Sequence, residues 1–144
     1  MKNIILCVLG TLGFCPVLNV KKRSIIYVAF GAFISAFIFE TLCKKYGFDL
    51  FIASFFASLS IGIYSEIIAR IKKAPSTVFF LPCSIPLLPG SSMFYAMNYL
   101  VLKDYTAFKA NLFDAANISF GIALGAVATM IILFVIRKFR KALN

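Results

Sequence analysis

Apolar residues occur in long stretches along this chain, and short polar clusters, mostly basic, separate them. Five stretches come close to the ~20 residues that an α-helix needs to cross ~30 Å of hydrocarbon. They cover about 4–20, 24–43, 48–69, 76–102 and 111–136. The pattern predicts an all-α integral membrane protein with about five transmembrane helices in a single transmembrane domain over 1–144. Prolines are expected to break the fourth helix near its middle.

Within these stretches the small and polar residues follow a helical period. Ser54, Ser58, Gly62 and Glu66 recur every four residues in the third stretch, so they share one face of a helix. Asn117, Gly121, Gly125 and Thr129 repeat the spacing in the fifth, and Ala32, Ala36 and Glu40 in the second. Small residues so placed let helices approach closely. These faces therefore read as helix packing, with a polar cavity as a compatible second use.

The fourth stretch is the most informative. Pro82, Pro86 and Pro89 each lack a backbone donor and crowd the preceding turn, so an uninterrupted helix is not expected. Gly90 permits a sharp turn, and Ser91 or Ser92 is a good N-cap for a second half-helix from about 92 to 102. Irregular backbone at mid-membrane depth is tolerated where it is buried in protein or lines a wet cavity. A half-helix beginning there aims free N–H groups and a positive dipole end inward, which suits a carboxylate. Pro86, Pro89, Gly90, Ser91 and Ser92 are the candidate substrate-binding residues; a structural kink without ligand is the alternative.

Charge then sets orientation. The chain holds 15 Lys and Arg against 5 Asp and Glu, a net charge of +10. Lys21, Lys22, Arg23, Arg70, Lys72, Lys73, Arg137, Lys138, Arg140 and Lys141 fall on one side of the predicted spans. Lys2, Lys44, Lys45, Lys103 and Lys109 fall on the other. The positive-inside rule then puts the C-terminus in the cytoplasm and the N-terminus outside, in a cell membrane. The basic residues flank apolar runs and form no separate helix or aromatic platform, which argues against nucleic acid as a partner.

Composition narrows the chemistry. The chain is 62% hydrophobic with a mean hydropathy of +0.96, against ~45–50% apolar in soluble domains. Lipid is therefore its expected solvent. There is no histidine, and Cys7, Cys15, Cys43 and Cys83 have no CxxC spacing. They read as free thiols behaving as small hydrophobes. No metal site, cofactor or catalytic cluster is expected, so the chain does not read as an enzyme. The first stretch lacks a small-residue cleavage pattern and reads as a retained helix rather than a signal peptide. No internal repeat is evident, so one set of five helices reads as part of a larger transporter.

Three acids are candidates for charge coupling, Asp114 first, then Glu66 and Glu40. Glu40 and Glu66 each stand four residues before a base, Lys44 and Arg70, in the favourable acid-first order. Each fits a snorkelling pair near a span end, or a role in the pathway. Asp114 is expected in the first turn of the fifth helix, with Asn111 as its cap; dipole complementation and proton or substrate handling both stay open.

The run from Pro75 through Tyr95, centred on Ile85-Pro86-Leu87-Leu88-Pro89-Gly90, resembles the threonine/serine exporter family. Leu18-Asn19-Val20, Ala57-Ser58-Leu59-Ser60-Ile61-Gly62 and Phe120-Gly121-Ile122-Ala123-Leu124-Gly125 extend the resemblance over nearly the whole chain. The chain is similar to the small, membrane-embedded subunit of the split form. The resemblance implies a secondary exporter of threonine and serine that works with a larger membrane subunit; a homo-oligomer is a further possibility. It also implies a succinate-type dicarboxylate exporter as an alternative. No Lys or Arg stands mid-span, which favours the amino acid. A non-transporting pore or assembly protein is the remaining class.

Overall fold

The computed structural model describes residues 2–18 and 20–142. Asn19 of the Leu18-Asn19-Val20 motif lies outside the described residues, as do the side chains of Lys2, Lys22, Arg137, Arg140 and Lys141. The described residues are all-helical: α1 (Lys2–Phe14), α2 (Ile25–Lys45), α3 (Leu50–Lys72), α4 (Thr77–Ser84), α5 (Gly90–Val101) and α6 (Tyr105–Ala142). Short 3-10 turns occupy Lys22–Ser24 and Ile85–Leu87.

α2, α3 and the Tyr105–Ile136 part of α6 are each long and apolar enough to cross a membrane. The pair Thr77–Leu87 and Gly90–Val101 passes the same test as one span bent by 49°. The chain is thus a multi-pass membrane protein with three straight candidate spans and one broken one. α1 differs from the expected first span. It has 13 residues, about 20 Å at 1.5 Å per residue, and so falls short of the hydrocarbon thickness. Pro16, two residues past its end, has no N–H to continue the ladder.

α3 is the centre of the fold. Half of its span window is buried, against 28% for α2 and 22% for α6. It packs on α2, α4 and α6, and α5 packs on α6. Phe79, Ile61, Leu87, Val28 and Cys83 are among the fully buried apolar side chains joining these layers. Polar links cross them: Ser35 Oγ donates to the Cys83 carbonyl at 3.0 Å, and Tyr64 OH to the Tyr27 carbonyl at 2.8 Å. In a medium without water such side chains find backbone acceptors. Gly47, at φ +65°, makes the turn between α2 and α3.

The contacts between α3 and α6 advance together along both helices. Gly121 faces Ser54, Gly125 faces Ser58, and Gly62 faces Thr129. Four residues forward on one helix matches four residues forward on the other, so α3 and α6 run parallel. The chain that leaves the end of α3 must therefore return to the opposite face before α6 starts. A re-entrant hairpin would have made α6 antiparallel to α3. The segment from 73 to 104, broken though it is, carries the chain across.

α6 starts at Tyr105, six residues before the expected 111. Asp104 precedes it and accepts the Ala107 N–H at 3.2 Å and the Thr106 hydroxyl at 2.9 Å. These bonds hold the Asp104 carboxyl below the usual carboxylate range, the Ala107 N–H contributing most. Asp104 is the cap that the sequence reading assigned to Asn111. Asn111 instead donates from Nδ2 to the Ala107 carbonyl at 2.8 Å, inside the helix. Asp114 consequently lies beyond the first turn, where the positive end of the dipole has faded.

Candidate functional site

The break in the fourth span differs in detail from the expectation. Pro82 is accommodated within α4. Only one hydrogen bond is lost there, to the Val78 carbonyl, and the helix ends two residues later. The direction changes at Leu88, with ψ 134°, and at Pro89, with ψ 49°. Gly90 opens α5, so Ser91 and Ser92 lie in its first turn rather than at its cap. Gly90 has no positive φ, and a Cβ placed on it would meet nothing within 4 Å. The turn here is therefore made by proline backbone and leaves Gly90 exposed. Pro89 is buried, Pro86 and Ser92 are half-buried, and Ser91 is exposed.

A cavity of about 300 Å³ lies at the other end of α4. α3 contributes Gly62, Ser65 and Glu66; α4 contributes Thr77 and Phe80, with Ser76 just before it. α6 closes the far side with residues from Ala126 to Phe134. None of the five break residues lines it. The two features stand at opposite ends of an eight-residue helix, about 12 Å apart at 1.5 Å per residue.

Of the three candidate acids, the structure brings only Glu66 to this cavity. Glu66 is 7% exposed and holds Arg70, whose Nε lies 3.3 Å from Oε1. Arg70 is half-exposed and does not line the cavity. Glu40 pairs with Lys44 away from the site. Asp114 is half-buried on α6, outside the lining.

The small-residue faces lie where α3 meets α6. Ser54, Ser58, Gly62, Gly121, Gly125 and Thr129 are all buried there, and Asn117 is half-buried. A Cβ on Gly121 would stand 2.6 Å from the Phe51 carbonyl oxygen, and one on Gly125 2.6 Å from that of Phe55. Ser58 Oγ donates to the Ile122 carbonyl at 2.8 Å, and Thr129 Oγ1 to the Gly125 carbonyl at 3.0 Å. Only Gly62, Glu66 and Thr129 of these faces reach the cavity.

Ser65 was missed. Its side chain is fully buried, lines the cavity, and its Oγ has no hydrogen-bond partner among the described residues. A four-residue period passes over it. The true helical period of 3.6 puts it three residues after Gly62 on the same face. Ser76 and Thr77 were missed because they stand before the prolines and carry no motif of their own.

A family profile described as "Threonine/Serine exporter, ThrE" matches residues 3–132. The chain belongs to the threonine/serine exporter family. No curated protein and no solved structure matches it. The exporter match runs from α1 into α6 and takes in the break and the cavity lining up to Met130, with Leu133 and Phe134 just beyond its end.

Proposed function

We propose that this chain is a membrane subunit of a secondary exporter of threonine and serine, working with a larger membrane subunit of the same family. The observation that carries the reading is the discontinuous crossing, whose first half abuts a cavity holding one buried carboxylate and several hydroxyls. A packing helix gains nothing from lost backbone bonds, whereas a transport pathway needs exposed polar backbone at depth. Pro86, Pro89, Gly90, Ser91 and Ser92 form the next stage of the pathway, about one helix length from the cavity. Glu66 is the preferred group for charge coupling, ahead of Asp114 and Glu40, because it alone faces the cavity. A dicarboxylate cargo is disfavoured by the acid, and no Lys or Arg lines the cavity among the described residues.

Orientation follows the basic residues. Lys21 and Arg23, Arg70 to Lys73, and Lys138 lie on one side of α2, α3, the broken span and α6, which we assign to the cytoplasm. That assignment does not depend on α1, which decides only where the N-terminus lies. On this reading the cavity opens near the cytoplasmic ends of α3 and α6.

Efflux of labelled threonine, serine and succinate from cells expressing this chain, alone and with a larger family subunit, tests the proposal. Selective threonine and serine efflux with both chains is expected. Unselective ion or dye leakage, or succinate efflux alone, would replace it with the pore or the dicarboxylate reading.

A further inference from the structure

We infer that the cavity between α3, α4 and α6 is the loading site for a hydroxylated α-amino-acid zwitterion. In it Glu66 takes the ammonium group, the start of α4 the carboxylate, and Ser65 the side-chain hydroxyl. The inference rests on the exporter reading and adds the place, the orientation of the cargo and the role of each residue.

Ser65 is the decisive observation. The other buried hydroxyls, at Thr11, Ser35, Ser54, Ser58 and Thr129, each donate to a backbone carbonyl. Ser65 Oγ is equally buried and has no such partner. A buried hydroxyl without a hydrogen bond is costly, and doubly so where lipid surrounds the fold. Ser65 lines an open cavity, so a polar ligand group there completes its hydrogen bonding.

The remaining lining has the polarity of a zwitterion. One residue further along α3, the Glu66 carboxylate offers a negative charge, and Arg70 holds it from outside the cavity without filling the space. Across the cavity, Ser76 and Thr77 present two hydroxyls at the beginning of α4. The Ser76 carbonyl already accepts the Phe80 N–H at 2.9 Å, which closes the first turn behind them. The Val78 and Phe79 N–H groups donate to the Pro75 and Ser76 carbonyls, so a carboxylate would be met by the two hydroxyls, the Thr77 N–H and the positive end of the helix dipole. Phe80, Met130 and Leu133 make an apolar wall for the aliphatic part of the cargo. A volume of about 300 Å³ is at the small end for ligand pockets, as befits a small metabolite. A dicarboxylate would set a second negative charge against Glu66.

The test uses the purified full chain in lipid nanodiscs and measures binding by calorimetry. Four probes divide the cargo: L-threonine, L-2-aminobutyrate without the hydroxyl, threoninol without the carboxylate, and 3-hydroxybutyrate without the ammonium group. Threonine is expected to bind about tenfold or more tighter than 2-aminobutyrate, since a site built to hydrogen-bond a hydroxyl rejects the analogue lacking it. Ser65→Ala should bring that ratio close to one, and Ser65→Thr should restore part of it. Glu66→Gln should weaken threonine and threoninol about tenfold or more and abolish the preference over 3-hydroxybutyrate.

An unchanged threonine to 2-aminobutyrate ratio in Ser65→Ala, unchanged threoninol binding in Glu66→Gln, or no saturable threonine binding to the wild type would each overturn the assignment. Efflux separates this inference from the exporter reading. Threonine export that survives both substitutions overturns the cavity assignment alone. Ser65-dependent binding in a chain that exports no threonine with any partner overturns the exporter reading alone.

Discussion

α3 meets α6 in two different ways along one interface. From Ser54 to Ser58 the helices touch through glycine, and every buried hydroxyl is taken up by a backbone carbonyl. From Gly62 to Glu66 the facing residues on α6 become Ala126, Thr129, Met130 and Leu133, and a cavity opens. There one hydroxyl, Ser65, is left over. The same stripe of small residues thus closes the helix pair at one end and prepares a site at the other. What separates the two ends is the residues on α6: Gly121 and Gly125 admit the α3 backbone directly, whereas Thr129, Met130 and Leu133 border the cavity.

The largest effect expected from this contrast is at the closed end. Gly125→Val would drive its side chain into the Phe55 carbonyl, which as backbone has no rotamer to yield. Overpacking of this kind costs ~1–3 kcal/mol or more. Thermal unfolding in detergent should show a large fall in Tm, and unaltered stability would mean that α3 and α6 do not pack as described. Gly90→Ala provides the matched control, since its Cβ enters open space. Its stability should change by no more than ~0.5 kcal/mol, so any loss of export there reports on the pathway rather than on the fold.

At the open end the sign should differ between stability and transport. Glu66→Gln is expected to reduce threonine efflux at least about tenfold, the scale of a lost charge-assisted hydrogen bond, while α-helical content measured by circular dichroism stays the same. Ser65→Ala removes an unpartnered buried hydroxyl and should leave Tm unchanged or slightly raised, whereas Ser58→Ala, which loses the bond to Ile122, should cost ~0.5–1.5 kcal/mol. Equal losses for the two serines would mean that the two ends of the interface do not differ.

The smallest effect lies outside the membrane. Asp104 caps α6 with its carboxyl held below the ordinary carboxylate range. Its contribution is present above the unfolded-state pKa and is lost as pH falls through the lower folded-state value. Wild-type protein should therefore lose a little more stability on acidification than Asp104→Asn, and identical pH profiles would argue against the cap.

Much of this architecture was legible in the chain because a bilayer imposes length and apolarity on each crossing. The broken span was legible too, since no uninterrupted helix tolerates Pro86 and Pro89 in close succession. Details that depend on local competition were less so. Pro82 stays inside α4, and Asp104, rather than Asn111, starts α6 because its side chain reaches the Ala107 N–H. Pro16 stands close after the end of α1, so an apolar run of span length yields a helix of 13 residues.

Reading the chain alone was enough to tell a helical membrane protein, the spans that hold α2, α3 and α6, and the discontinuity between α3 and α6, though not the shortness of α1. Those properties follow from counting apolar residues and prolines along one strand of chain. Which polar residues come together emerges from packing. Glu40, Glu66 and Asp114 look alike as intramembrane acids, yet only Glu66 lines a cavity together with Ser65, Ser76 and Thr77. That grouping depends on how α4 folds back on α3 and on α6 closing the far side, and a helix carries no mark of what will pack against its face.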